Sequence, residues 1–280
     1  MRRSGTGFIA PAVLSGDFTP SQLGRMGIGM TEQLIRTTNL RDLGGAHIAG
    51  GGAVRCGTVF RSAALSDLAG AELDEVRALG IRLIVDLRRN GERDVWPTPW
   101  QAIGCADYWM RDYDHSDADH LQRMRGSDFT ADDSRAAMTA LYAELPYDQA
   151  EAYARLLHAI AAGEGPVLFH CAVGKDRTGV AAALILEAAG VARADILSDY
   201  MATERFDLLG SPHARRWPAR SEARAIAYAP LLGVDPAYLD AMFATLDERS
   251  GSIGVYLRDT LGLDGAEQLA LHRQLVDPVG

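Results

Sequence analysis

Two periods of apolar residues alternate along the chain. "GTVFRSA" (57–63), "IRLIVDL" (81–87) and "PVLFH" (166–170) are short, apolar and partly β-branched, and predict buried strands. Segment 67–80 carries Leu68, Leu73, Val76 and Leu79 near helical spacing and closes on Gly80, which predicts a helix. Segment 147–165 is amphipathic at the same spacing, and 178–190 reads as an apolar helix closed by Gly190. Helical patterns continue over 193–209, 219–229, 236–248 and 265–276, with "GSPHARRWP" as a break among them. "RTTNLRDLGG" (36–45) ends in a glycine pair and predicts a turn. Residues 90–135 hold prolines and the polar runs "RDYDHSDADH" and "DFTADDSR", and read as a long surface excursion. Residues 1–31 are rich in Gly, Ser and Pro and read as a loosely ordered arm. Strands alternating with helices, followed by a helical tail, predict one α/β domain over 32–280 with a central sheet flanked by helices.

Composition narrows the chemistry. The 280 residues carry a net charge of −9, which disfavours non-specific nucleic-acid binding, so any affinity for phosphate must be local. No apolar run reaches transmembrane length, which excludes stable membrane insertion. Cys56, Cys105 and Cys171 form neither a disulfide framework nor a paired set of zinc ligands. Arg2 and Arg3 followed by "FIAPAVL" echo an export signal, but that apolar core is short and contains Pro11. The expectation is a cytoplasmic monomer, with secretion lacking a recognisable signal as the alternative.

The segment "PVLFHCAVGKDRTG" (166–179) concentrates the chemistry. A strand, a loop and a helix start form a cradle for an oxyanion, because the first helical N–H groups are unpaired and the dipole is positive there. Ala172, Val173, Gly174, Lys175, Asp176 and Arg177 are the candidate phosphate-binding residues, and Gly174 permits the turn. Cys171 lies at the loop base, where that field favours the thiolate. Arg177, six residues on, can hold two phosphate oxygens with its planar fork. The Thr178 hydroxyl could bond the thiolate or cap the helix. Lys175 is the only lysine in the chain and adds positive charge for a phosphate. Cys105 and Arg111 repeat the Cys-to-Arg spacing, but the bulky loop between them lacks glycine and opens no apolar helix. A nucleoside-triphosphate loop is excluded, since Asp176 follows Lys175 and the first glycine is missing.

"HCAVGKDRTG" resembles the signature loop of cysteine-dependent protein phosphatases, and its "GKDRT" form is similar to that of the atypical bacterial tyrosine phosphatases related to the secreted mycobacterial phosphatase B. "NLRDLGG" (39–45), "GTVFRSAAL" (57–65), "GIRLIVDLR" (80–88) and "GSIGVYLRDTLGL" (251–263) fit the same family, so the resemblance spans residues 32 to 276. Leu40 stands where the early motif usually has Phe. The resemblance implies a tyrosine-phosphatase-like fold, a helical lid near 198–235, no metal or other cofactor, and phosphotyrosine hydrolysis. Some members also accept phosphoserine, phosphothreonine or phosphoinositides. It makes Cys171 the nucleophile, Arg177 the phosphate binder and Asp176 the general acid. Trp96-Pro97-Thr98 supports Asp176, because the tripeptide that carries the acid in many other tyrosine phosphatases here lacks its carboxylate.

Several residues keep two readings. Asp86 is a second acid candidate or a buried orienting carboxylate; Asp112 and Asp114 are solvated. Arg61 supports the loop from a neighbouring strand or serves a scaffold salt bridge, and Arg41 and Asp42 share its motif context. Arg215, Arg216, Arg220 and Arg224 cluster in the lid region and meet an anionic substrate or form a solvated face. The expected substrate is a phosphorylated protein or a phosphoinositide. A silent phosphate-binding module and a sulfurtransferase are the competing classes.

Overall fold

A computed structural model of the chain describes residues 30–114, 128–208 and 221–277. The expected N-terminal arm, apart from its last two residues, lies outside the described residues. So does the middle of the expected lid, including Arg215, Arg216 and Arg220.

The sequence's apolar runs become the centre of a five-stranded sheet. Its strands are β1 (Arg41–Asp42), β3 (Val59–Ser62), β4 (Leu83–Asp86), β5 (Asp107–Met110) and β6 (Val167–His170), in the order β1-β3-β6-β4-β5. β3, β6, β4 and β5 run parallel, and β1 is antiparallel at the edge. Every position of β3, β4 and β6 is buried, as expected for parallel strands covered on both faces. Side chains alternate between two cores. Phe60, Ile84 and Leu168 join Leu34, Leu65 and Val76 on one face. Val59, Val85, Val167 and Phe169 join Leu156, Leu157, Val180 and Leu184 on the other.

The first core is closed by α1 (Glu32–Thr38), α2 (Gly70–Ala78) and α4 (Trp100–Ile103). The second receives α5 (Ala131–Asp148), α6 (Ala150–Ala161) and α7 (Asp176–Ala189). Val180 to Leu186 of α7 are all buried, which explains its lack of a polar face. α8 (Arg193–Met201), α9 (Glu222–Leu232), α10 (Pro236–Ser250), α11 (Ile253–Asp259) and α12 (Gly265–Leu275) complete the helical tail. A two-stranded ladder, β2 (Ala53–Val54) with β7 (Val276–Asp277), fastens the end of α12 beside β1 and β3.

Residues 90–135 are not one surface excursion. α3 (Asn90–Val95), α4 and β5 lie in its first part, and α5 begins at Ala131. β5 was hidden because it is a four-residue edge strand with no buried position. α5 carries its apolar contacts at Met138, Tyr142 and Leu145, a helical spacing obscured by an acidic first turn and by Pro146. The amphipathic helix expected over 147–165 is accordingly shorter, Ala150–Ala161.

The parallel sheet puts the carboxyl ends of β3, β4 and β6 on one edge, where Ser62, Asp86 and His170 stand in register. That edge is the usual ligand edge of an open α/β sheet. The glycine pair of "NLRDLGG" allows the chain beside it to pass close to its neighbour. A Cβ on Gly44 would fall 2.3 Å from Cys56 Cα. Gly44→Ala is expected to lower the unfolding free energy by about 1–3 kcal/mol, measured as a drop in the denaturant midpoint at unchanged m-value.

Candidate active site

β6 ends at His170 and α7 begins at Asp176, so Cys171–Lys175 form the loop on the carboxyl edge. Cys171 is buried at its base. Gly174 has φ +72° and lies against β3; a Cβ there would meet the Ser62 carbonyl carbon and oxygen at 2.6 Å. No other residue type fits both the turn and the approach.

The loop's carbonyls are turned outward by specific donors. Asn39 Nδ2 donates to Val173 O and Gly174 O, both at 3.2 Å. Arg61 Nη2 donates to Gly174 O at 2.8 Å, and Ala64 N to Ala172 O at 3.2 Å. The N–H groups of Ala172 through Arg177 have no hydrogen-bond partner among the described residues. Six consecutive unpaired donors at the start of a 14-residue helix form a strong anion cradle.

Asn39 and Arg61 are themselves fixed. Asn39 adopts φ 54°, the left-handed conformation that asparagine tolerates, as the C-cap of α1. Its Oδ1 accepts from Arg41 Nη1 at 2.6 Å. Asp199 of α8 binds Arg61 Nη1 at 2.5 Å and Arg41 Nε at 2.8 Å. Burial opposes the Asp199 charge, but the two guanidiniums outweigh it and lower its pKa. Burial and the nearby Arg61 charge bring the Arg41 pKa down to about 10. Asp42 turns away and accepts from Gly44 N and Gly57 N at 2.8 and 2.6 Å.

Arg177 is held from the other side. Its Nη1 and Nη2 make a fork to Glu92, at 2.7 and 2.9 Å, and Nη1 also donates to Leu87 O at 2.9 Å. Glu92 sits in the first turn of α3, where its carboxylate also accepts from Arg89 N. Burial works against both charges. Each offsets that for the other, so Glu92 is lowered to about 2 and Arg177 raised well above its ordinary value. Thr178 is fully buried and its hydroxyl has no partner among the described residues. The helix N-cap is Lys175, so the Thr178 hydroxyl is not used as a cap.

Asp86 is fully buried behind the loop. It receives Arg88 Nε and Nη2 at 2.8 and 2.5 Å, and the Tyr108 hydroxyl at 2.6 Å. Burial disfavours its charge; the facing His170 ring, Arg88 and Tyr108 outweigh that and lower its pKa. His170 lies against Thr98 Oγ1 and the Cys171 carbonyl, both at 3.2 Å. Burial lowers its pKa to about 4, so its ring is neutral at neutral pH.

Asp176 opens α7 with its side chain 27% exposed, so it reaches the loop mouth. The Tyr142 hydroxyl donates to its Oδ1 at 2.8 Å. The Lys175 ammonium does not join the row of N–H groups. It is buried against Leu231 O and Gly233 O at 2.5 and 3.0 Å, and 3.4 Å from Asp176 Oδ1. Asp112 and Asp114 are exposed and bond Asn90. Arg224 reaches the Tyr228 hydroxyl at 2.7 Å. Cys105 and Arg111 flank β5 and make no loop: Cys105 Sγ bonds Asp107 O, and Arg111 Nη1 bonds Asp148 O. Among the described residues no group of three or more His, Cys, Asp or Glu side chains is placed to hold a metal ion. No helix among them is long and apolar enough to cross a membrane.

Sequence reasoning did not single out Glu92, Asn39, Asp199 or Tyr142. Asn39 stands in a recognised motif and could have been found there. Glu92 and Asp199 come from surface-like helical turns, and only the tertiary fold brings them to the arginines.

A buried cysteine, an arginine six residues on and a row of free N–H groups at a helix start form a loop suited to a phosphate monoester, the kind of loop a phosphatase uses. The chain matches the tyrosine phosphatase family over residues 33–277, and it belongs to that family. It is 35% identical over 235 residues to a Cupriavidus necator protein with a tyrosine-protein phosphatase name, covering 82% of this chain and 84% of that one. It is 31% identical over 259 residues to triple specificity protein phosphatase PtpB of Mycobacterium tuberculosis, covering 79% and 90%. A tyrosine-protein phosphatase of Nostoc commune is 33% identical over 161 residues, covering 57% and 52%.

Two outcomes follow from these pairings. Glu92→Ala leaves a buried guanidinium unpaired and should lower the unfolding free energy by about 3–5 kcal/mol. Inorganic phosphate should raise the melting temperature of that variant more than that of the wild type, because it restores a counter-charge. For His170, the sign is set by a folded pKa of about 4 below the ordinary 6.5. Above the higher value both states hold a neutral ring. Between the two values only the unfolded chain binds the proton, so stability falls as pH falls, by roughly 3 kcal/mol in all. Chemical denaturation across that window should show the slope in wild type and its loss in His170→Asn.

Proposed function

We propose that Cys171 is the nucleophile of a phosphotyrosine hydrolase, with Arg177 as phosphate binder and Asp176 as general acid and base. The observation that carries this reading is the run of unpaired N–H groups from Ala172 to Arg177, which begins one residue after the Cys171 thiol. In the first step the thiolate attacks phosphorus. An S–P bond forms, the bond to the phenolic oxygen breaks, and Asp176 gives its proton to that oxygen. In the second step the Asp176 carboxylate takes a proton from water. The water oxygen bonds phosphorus, the S–P bond breaks, and phosphate leaves with the thiolate restored. The N–H groups and Arg177 hold the equatorial oxygens in both steps, where charge is redistributed.

The triple specificity in the name of the mycobacterial relative supports a wider range, including phosphoserine, phosphothreonine and phosphoinositides. Lys175 lends no support to lipid recognition in this arrangement, since its ammonium is buried on the carbonyls of Leu231 and Gly233. Phosphotyrosine is therefore the leading substrate. Three free cysteines suit the cytoplasm. A lid within 198–235 is proposed from the family resemblance alone, since residues 209–220 lie outside the described residues.

The test is a side-by-side assay on phosphotyrosine peptide, phosphoserine peptide and phosphoinositide vesicles with EDTA present. Phosphotyrosine should give the highest kcat/KM, and equal or higher values on vesicles would overturn the assignment. Cys171→Ser should lose turnover by a factor of at least roughly 10³ while keeping inorganic phosphate binding. Retained activity would exclude the nucleophile.

A further inference from the structure

Asp176 stands at the end of a buried file of hydroxyl groups. The Tyr142 and Tyr200 hydroxyl oxygens are 2.8 Å apart, and both side chains are buried. Each phenol has one proton to give. With the Tyr142 proton on Asp176 Oδ1, the Tyr200 proton falls to Tyr142. Both phenol donors then point towards the carboxylate. Burial and the adjacent Asp176 carboxylate raise the Tyr142 pKa well above its ordinary value, so it stays a donor at any working pH.

The end of α9 and the residue after it brace a second contact. Lys175 Nζ is anchored on Leu231 O and Gly233 O and lies 3.4 Å from Oδ1. Oδ1 thus faces two donors, Tyr142 backed by Tyr200 and Lys175 braced by residues 231 and 233. Oδ2 has no partner among the described residues.

We infer that Tyr142, backed by Tyr200, is a positioning residue that fixes Oδ1 of Asp176 and leaves Oδ2 as the atom that passes the proton. The inference rests on the acid role assigned above. An aspartate at the first position of a helix otherwise has free rotamers, and locking one of them aligns the proton with the leaving oxygen. A bare packing role for Tyr142 would support the core without regard to the leaving group.

The experiment is kcat/KM on aryl phosphates ranging from activated nitrophenyl to unactivated phenyl, for Tyr142→Phe, Tyr200→Phe, Asp176→Asn and the Tyr142→Phe/Asp176→Asn double variant. Tyr142→Phe should lose roughly tenfold on phenyl phosphate, the size of one hydrogen bond to a charged group. On the most activated ester it should stay within about twofold, with inhibition by inorganic phosphate unchanged. Asp176→Asn should show the same selectivity more strongly, and the double variant should lose no more than Asp176→Asn alone. Equal loss on every ester, or full additivity with Asp176→Asn, would overturn the inference. A flat leaving-group dependence in Asp176→Asn would instead remove the acid role and the inference with it. If Tyr142→Phe fails to fold, Tyr200→Phe decides: it must show the same selectivity at smaller size, and no selectivity contradicts the proposal.

Discussion

For the loop's N–H groups to face an anion, the carbonyls of the same peptides must face away, and something must hold them there. Asn39 and Arg61 do so by binding the oxygens of Val173 and Gly174. The rest of the site depends on those contacts. Asp199 and Arg41 serve Asn39 and Arg61, which ties α8 and the edge strand β1 to the loop. Gly174 serves the same end, since only a residue without Cβ can lie against Ser62 in this turn. Preorganised dipoles of this kind need no reorientation when charge develops.

The chain is acidic overall, at net −9, yet it builds a site for a dianion. It does so with four largely buried guanidiniums held by three carboxylates. Arg61 and Arg41 share Asp199, Arg88 pairs Asp86, and Arg177 pairs Glu92. Each pair is fixed in place before substrate arrives. Arg61 donates to the Gly174 carbonyl, while Arg177 lies in the helix start itself, so a phosphate in the loop would meet the Arg177 guanidinium and the helix N-terminus. The charge is local, as an acidic surface requires.

The sheet and the phosphate loop were legible in the sequence because their signals are local. Apolar β-branched runs mark β3, β4 and β6, and "HCAVGKDRTG" follows the last of them. β5 was not legible, because an exposed edge strand carries no burial pattern. α5 was masked by acidic residues and by Pro146, although Met138, Tyr142 and Leu145 keep its period. In the site, Cys171 and Arg177 are picked out by spacing together with the strand before them, Gly174 and the apolar helix after them, which Cys105 and Arg111 lack. Glu92 is not, because its pairing crosses from α3 to α7 and leaves no trace in either segment. Lys175 shows the opposite case. Its isolation in the sequence drew it towards the phosphate, but the fold puts its ammonium on the carbonyls that end α9.

The central claim is that phosphate passes through the Cys171 sulfur. It is tested most directly by rapid acid quench of the enzyme during turnover of a phosphotyrosine peptide, followed by proteolysis and mass mapping. The account predicts one phosphoryl group on the peptide containing Cys171, formed in the presence of EDTA and absent from the peptides containing Cys56 and Cys105. Full turnover with no phosphoryl group on Cys171 at any quench time, or its capture on another residue, would contradict it.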